Sequence, residues 1–156
     1  MKVYHTSNVV VSKPDVLHSR DFLDFGKGFY VTTMKDQAIK YAQRFIRRGR
    51  KAYLNTYELS DDLSGWNVLT FDSYNKEWLD FVAACREGQP SGDYDMVIGG
   101  IANDKVILTL DMYFAGSITQ EVALKRLTYE KPNIQYCIRS EKMLNECITY
   151  IESQQL

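Results

Sequence analysis

The chain has 156 residues, 45% hydrophobic and 25% charged, a balance that suits one globular domain with a core and excludes a largely disordered chain. Its net charge of -1 gives no global argument for nucleic acid or an anionic membrane, and no apolar run approaches the roughly 20 residues of a membrane span. Cys85, Cys137 and Cys147 are far apart among apolar neighbours, so they read as buried thiols of a reducing compartment, not as a disulfide frame or metal site.

Lys2 to His5 is a short strand, with no signal-type segment ahead of it, so a cytoplasmic setting is expected. Asn8 to Asp24, with Pro14 and several polar residues, is a loop lying over something. Gly28 to Thr32 is a second strand. Thr33 starts a helix with Asp36 in a near capping-box arrangement, and the helix runs to about Arg48 and stops at Gly49. Its apolar stripe is Ala38, Tyr41, Ala42 and Phe45, widened by Ile39 and Ile46, which puts Tyr41 on the buried side.

Ala52 to Leu59 alternates as a strand, and Asp61 to Gly65 is a turn. Asn75 to Arg86 is a helix with Trp78, Leu79, Phe81, Val82 and Cys85 on its apolar face, closed by Gly88. Met96 to Ile98 is a short buried strand ending at Gly99-Gly100. Helices follow from Asp104 to Phe114 and from a Ser117 or Thr119 cap through Leu127. Ile134 to Ile138 is a late strand, and Ser140 to Ser153 a closing helix before a frayed end at Ser153 to Leu156. Strands and helices mix without a regular βαβ alternation, so the expected class is α+β in a single domain over 1–156.

Gly26-Lys27-Gly28-Phe29-Tyr30 puts a flexible turn before an aromatic pair, and Tyr41 follows eleven residues past Tyr30. With the early Tyr4-His5-Thr6-Ser7, this set suits a flat heteroaromatic ring and the sugar beside it. These segments resemble the His-Tyr-Glu branch of the ADP-ribosyltransferase superfamily, which includes diphtheria-type toxins and poly(ADP-ribose) polymerases. Tyr4-His5-Thr6-Ser7 is similar to the first-strand motif, and Gly26 to Tyr30 with Ala38 and Tyr41 to the polymerase segment Gly-Lys-Gly-Ile-Tyr and its second tyrosine. Asn133-Ile134-Gln135-Tyr136-Cys137-Ile138 is similar to the strand that normally carries the catalytic glutamate. Taken whole, the chain looks most like an uncharacterised bacterial domain family thought to be related to these enzymes.

The resemblance implies an NAD cleft between two small packed sheets flanked by helices, with NAD as the substrate. It implies that His5 bonds a ribose hydroxyl, that the Thr6 backbone holds the nicotinamide amide, and that Tyr30 and Tyr41 sandwich the ring, with Gly28 in the binding turn. His5, Tyr30 and Gln135 would form the catalytic set. Two positions depart from the pattern. Thr6 stands where glycine is usual, and Gln135 stands where the carboxylate is expected; glutamine accepts a hydrogen bond but carries no charge. Glu141 and Glu130 are candidate substitutes for that acid. The acceptor of ADP-ribose would be a protein or nucleic acid, with NAD glycohydrolysis or a catalytically weakened binding module of the same fold as alternatives. The resemblance also suggests a toxin-like setting with a small neutralising protein partner.

Other residues stay open between two roles. Arg20, in the loop before the glycines, is a solvated arginine or a donor to the NAD pyrophosphate. Arg44, Arg47, Arg48, Arg50 and Lys51 are cations favoured at a helix C-terminus or a contact for a phosphate-bearing acceptor or nucleic acid. Asp95, Asn103 and Asp104 are caps and turn formers or line the site.

Overall fold

Lys2–Ser7 (β1) and Tyr53–Leu59 (β3) pair as antiparallel strands, with His5 opposite Asn55 and Thr6 opposite Leu54, and Leu54 to Tyr57 form a continuous buried run at the centre of β3. The structure is a computed structural model that describes residues 1–21 and 23–156; Phe22, in the expected loop, lies outside the described residues. β7 (Ile148–Gln155) covers the other edge of β3, giving a sheet of order β1-β3-β7. The second sheet has order β2-β6-β5-β4, built from Phe29–Val31 (β2), Val68–Thr70 (β4), Met96–Ile101 (β5) and Asn133–Ile138 (β6). Only its β4–β5 pair is parallel. A bridge between Tyr4 and Thr32 joins the sheets, each residue's N–H donating to the other's carbonyl at 2.8 and 3.0 Å.

The helices are α1 (Lys35–Tyr41), α2 (Gln43–Ile46), α3 (Lys76–Arg86), α4 (Asp104–Phe114), α5 (Gln120–Leu127) and α6 (Glu141–Cys147). Asn75, Asn103, Thr119 and Ser140 cap α3 to α6, each side chain accepting from the backbone N–H three residues on. Such a cap contributes about 1 kcal/mol. The mixed content, with two sheets and helices, is compatible with α+β. No helix among the described residues is long and apolar enough to cross a membrane.

Two clusters of buried side chains hold these layers. Trp78, Leu79 and Val82 of α3, Val106 and Leu110 of α4, and Ala123 and Leu127 of α5 pack with Val97 and Cys137 of the four-stranded sheet. Phe29, Val31, Met96 and Ile138 point the other way and meet Val3, Tyr57 and Leu59 of the three-stranded sheet, with Met143 and Leu144 of α6. Strand alternation therefore sorts β6: Cys137 faces the helices and Ile138 faces the other sheet. The expected loop lies over this second cluster at Val11 and Val16: Val16 is buried in it, and the Tyr57 hydroxyl donates to the Val11 carbonyl at 2.6 Å.

Several elements differ from the sequence reading. The expected closing helix ends at Cys147, and Ile148–Gln155 forms β7, so the tail is ordered; Leu156 N–H donates to the Ala52 carbonyl at 2.9 Å. The β-branched and aromatic run Ile148-Thr149-Tyr150-Ile151 suits a pleated edge, and Tyr150 pairs with Tyr57. The strand at Met96 continues through both glycines to Ile101. β4 was not expected.

The first helix starts at Lys35 rather than Thr33. The Thr32 hydroxyl accepts from Met34 N–H at 3.1 Å, and Met34, the cap residue, makes no side-chain cap bond. The apolar stripe narrows to Ala38 and Ala42, at 4% and 1% exposure, whereas Tyr41 is 40% exposed and Ile39 and Ile46 are also at the surface. Helical packing on β1 leaves room only for small side chains there, which turns the Tyr41 ring outward. All three cysteines are buried and free, as expected.

Candidate functional site

The β1–β2 seam gathers much of the set singled out in the sequence. The His5 Nδ1 lies 2.7 Å from the Tyr30 carbonyl oxygen. A carbonyl only accepts, so Nδ1 carries the proton and the neutral ring leaves Nε2 as an acceptor. The His5 ring also packs at 4.6 Å on Phe29. Next on β1, the buried Thr6 hydroxyl donates to the Ala38 carbonyl at 2.6 Å, which fixes α1 against the strand. Tyr41 is the last residue of α1, three residues past that anchor. Its exposed ring lies under the Arg44 guanidinium, 4.9 Å from the centroid, and edge-on to Phe45.

Tyr30 is held differently. Its hydroxyl donates to the Gly26 carbonyl at 2.5 Å and accepts from Phe25 N–H at 3.1 Å, and its ring stacks on Phe25. Burial raises its phenol pKa strongly, so it remains a neutral donor. The Tyr30 ring lies on the helix-facing side of its sheet with Cys137, whereas the His5 ring packs on Phe29 of the opposite side. The two residues meet through the Nδ1–carbonyl bond and not ring to ring.

Gly28 is glycine for a steric reason. A Cβ there would stand 2.5 Å from the Cys137 sulfur and 2.8 Å from the Ile138 carbonyl oxygen. Gly26 has φ +78, the left-handed turn that glycine favours. The Gly28 N–H donates to the Ser19 hydroxyl at 3.1 Å, so loop 8–24 returns to the glycine turn and brings the exposed Arg20 beside it.

Gln135 is half-buried, opposite Gly99 in the β5–β6 ladder, and its side chain has no hydrogen bond among the described residues. It shares a face with Cys137 and Tyr30. The carbonyl of the preceding Ile134 accepts from the Thr32 hydroxyl at 3.4 Å, and Thr32 is bridged to Tyr4. The His5 and Gln135 backbones are therefore two strand spacings, or roughly 10 Å, apart, with the His5 ring on the Phe29 side and Gln135 on the Cys137 side.

Neither alternative acid reaches this seam. Glu141 accepts from Val16 N–H at 2.6 Å and secures the loop. Glu130 lines a hollow of about 560 Å³ between α4 and α5, together with Leu108, Val122 and Tyr129. Asn103 is a cap, Asp104 sits in the first turn of α4, and Asp95 accepts from Asn67 N–H at 2.9 Å.

Three features were not foreseen. Asp24 pairs with Arg86 at 2.6 Å and accepts from Ala102 N–H, tying the glycine loop to α3 and β5. Gln37 links the Thr32 hydroxyl to Asn133, tying α1 to the start of β6. The Arg139 guanidinium donates to Ser91 Oγ at 2.8 Å, lies over Phe81, and has a buried Nη1 with no partner among the described residues. One Nη2 would stand 3.8 Å from a Cβ at Gly26, so a cation backs the glycine turn. An arginine straight after a buried strand was the available signal for it.

Burial holds the His5 imidazole below its ordinary 6.5, opposed by the Tyr30 carbonyl. The unfolded chain then binds the proton more readily, so stability is intact above about 6.5 and falls as pH drops through that region. A thermal midpoint falling between about pH 7.5 and 5.5, with the fall flattened in His5→Gln, is the expected result. An equal fall in both proteins assigns the dependence to other groups.

A model of the family described as protein of unknown function (DUF3990) matches residues 1–150. No curated protein and no solved structure matches the chain.

Proposed function

We propose a function for a chain that belongs to the DUF3990 family: NAD-dependent transfer of ADP-ribose to a macromolecular acceptor. The observation that carries the reading is the His5–Tyr30 contact at 2.7 Å, which fixes the imidazole tautomer and leaves Nε2 free to accept from a ribose hydroxyl. Further support comes from the neighbourhood. Thr6 anchors the helix that presents the exposed Tyr41 ring, and Arg20 flanks the glycine turn where a pyrophosphate would need cations.

The residues fit the chemistry in stated ways. Tyr41 would stack on one face of the nicotinamide, and Tyr30, held by Gly26 and Phe25, would set the depth of the site. Stacking fixes the ring plane and so orients the bond between nicotinamide and ribose. That bond breaks with its electron pair going to nicotinamide, while the acceptor nucleophile bonds to the ribose carbon and releases its proton to solvent. Gln135 would accept from the ribose 2′-hydroxyl without adding charge, which weakens stabilisation of a cationic transition state. This uncharged side chain is also what favours the second reading, an NAD-binding module of reduced activity.

Calorimetric titration with NAD or a nicotinamide mimic tests the reading. Binding is expected at millimolar ligand or better, with Tyr41→Ala and Tyr30→Ala weakening it by several-fold to about tenfold, the worth of an aromatic stack. Arg47→Ala should leave affinity near that of the parent. Absence of binding at millimolar NAD ends the proposal, and equal losses in all three variants end the stacking role.

A further inference from the structure

Charge is distributed unevenly over this nearly neutral chain. Between Asp36 and Glu58 there is no carboxylate, yet that interval holds Lys40, Arg44, Arg47, Arg48, Arg50 and Lys51. The remaining thirteen cations face twenty carboxylates, so the rest of the chain carries -7 while this segment carries +6. All six cations are exposed, and none is in an ion pair among the described residues.

The backbone collects them on one face. Ala38 and Ala42 turn inward, so Lys40 and Arg44 point away from the core along α1 and α2. Gly49, at φ +70, then reverses the chain; Gly49 N–H donates to the Ile46 carbonyl and Arg50 N–H to the Phe45 carbonyl, both at 3.0 Å. The reversal returns the Arg50 backbone to Phe45, so Arg47, Arg48, Arg50 and Lys51 all sit at the C-terminal end of α2. A helix C-terminus favours one or two cations by about 0.3–1 kcal/mol. It does not account for four clustered with no acid to offset their mutual repulsion.

From this geometry we infer that the α1–α2 face binds the phosphate backbone of a nucleic acid. A regularly charged polyanion is held by exposed Lys and Arg side chains that neutralise successive phosphates, and this face offers six of them with no carboxylate between. An anionic membrane would call for a long apolar stripe to insert, but the exposed apolar side chains here are only Met34, Ile39, Tyr41 and Ile46, each partly covered at 36–57% exposure, and the Tyr41 ring lies under Arg44. The face meets the candidate site at Tyr41, whose ring lies under Arg44. Nucleic acid held there is the acceptor class for the transfer proposed above. That last step rests on the NAD reading, whereas the binding itself does not.

Fluorescence anisotropy of the full chain with a labelled short single-stranded oligonucleotide, without NAD, tests it. Binding is expected at low salt, with log K falling linearly in log salt. The triple substitution Arg47→Ala, Arg48→Ala, Arg50→Ala should reduce that slope by about 2 and weaken binding by about 10- to 100-fold. The triple substitution Lys105→Ala, Lys125→Ala, Arg126→Ala removes the same charge from α4 and α5, and should leave binding near the parent value. Equal losses in the two triples, no binding at low salt, or equal or tighter binding to polyglutamate or to vesicles of anionic lipid would each overturn the inference. Since NAD titration is a separate measurement, either proposal can fail while the other stands.

Discussion

Trp78→Ala is expected to destabilise the fold by about 3–5 kcal/mol, a large part of the roughly 5–15 kcal/mol that a domain of this kind has in total. Trp78 is fully buried and does three things at once. Its backbone N–H is bound by the Asn75 cap at 2.9 Å, so the first turn of α3 is fixed where the indole enters the core. The indole N–H donates to the Gly100 carbonyl at 2.7 Å, satisfying a buried acceptor on β5. Its ring meets Tyr74 edge-on at 4.6 Å, and that hydroxyl in turn donates to the Ile101 carbonyl at 2.8 Å. Trp78→Phe keeps most of the burial and loses the donor, so its cost should be about 1–3 kcal/mol. Leu108→Ala, at a site 63% exposed, should stay within about 0.5 kcal/mol. Urea unfolding at constant m measures all three. A Trp78→Ala midpoint close to that of Leu108→Ala would remove the indole from the centre of the helix–sheet core.

The two glycines beneath that indole show how far local pattern reading goes. Gly99-Gly100 has the composition of a strand end, yet β5 passes through both. A Cβ at Gly100 would stand 2.6 Å from Tyr74, and one at Gly99 would stand 3.1 Å from Phe71. The glycines answer to aromatic rings brought in from 25 or more residues away, which no local window contains. The same limit explains β7: Met143, Leu144 and Cys147 carry a helical period, but past Cys147 the β-branched run finds the open edge of β3. Buried helix faces and the caps at Asn103 and Thr119 were legible because such side chains act within their own turn, while Asn75, read as the first residue of its helix, is its cap. In the candidate site, His5 and Tyr30 were legible as residue types in order, and their 2.7 Å contact needs only the Tyr4–Thr32 bridge. Tyr41 misled because its period matches the core, while Thr6 and Ala38 bring the helix so close to β1 that only alanine fits underneath. Arg139 gave no periodic signal, only its place straight after a buried strand, and the three-dimensional neighbourhood shows a guanidinium behind the glycine turn with a nitrogen unpartnered among the described residues.

Under the proposed NAD reading, Gln135→Glu is the substitution with the largest expected effect on activity. The side chain is half-buried and free of hydrogen bonds among the described residues, so a carboxylate of nearly the same volume fits without displacing a partner. Arg139 lies on the same face of the strand, about 13 Å along it, too far to neutralise the new charge. A carboxylate at Gln135 would bond the ribose hydroxyl more strongly as positive charge develops on the sugar. One electrostatic stabiliser of this kind is worth on the order of 10²–10³ in rate. Release of nicotinamide from NAD should therefore rise by about that factor in Gln135→Glu, with NAD affinity changing much less, because the gain belongs to the transition state. Gln135→Ala separates a spectator from a participant: basal turnover unchanged means the amide contributes nothing, and a fall means it already holds the hydroxyl. Should folded Gln135→Glu bind NAD yet turn over no faster than the parent, position 135 does not face the reacting sugar, and the catalytic role drawn for β6 is lost even though the binding site stands.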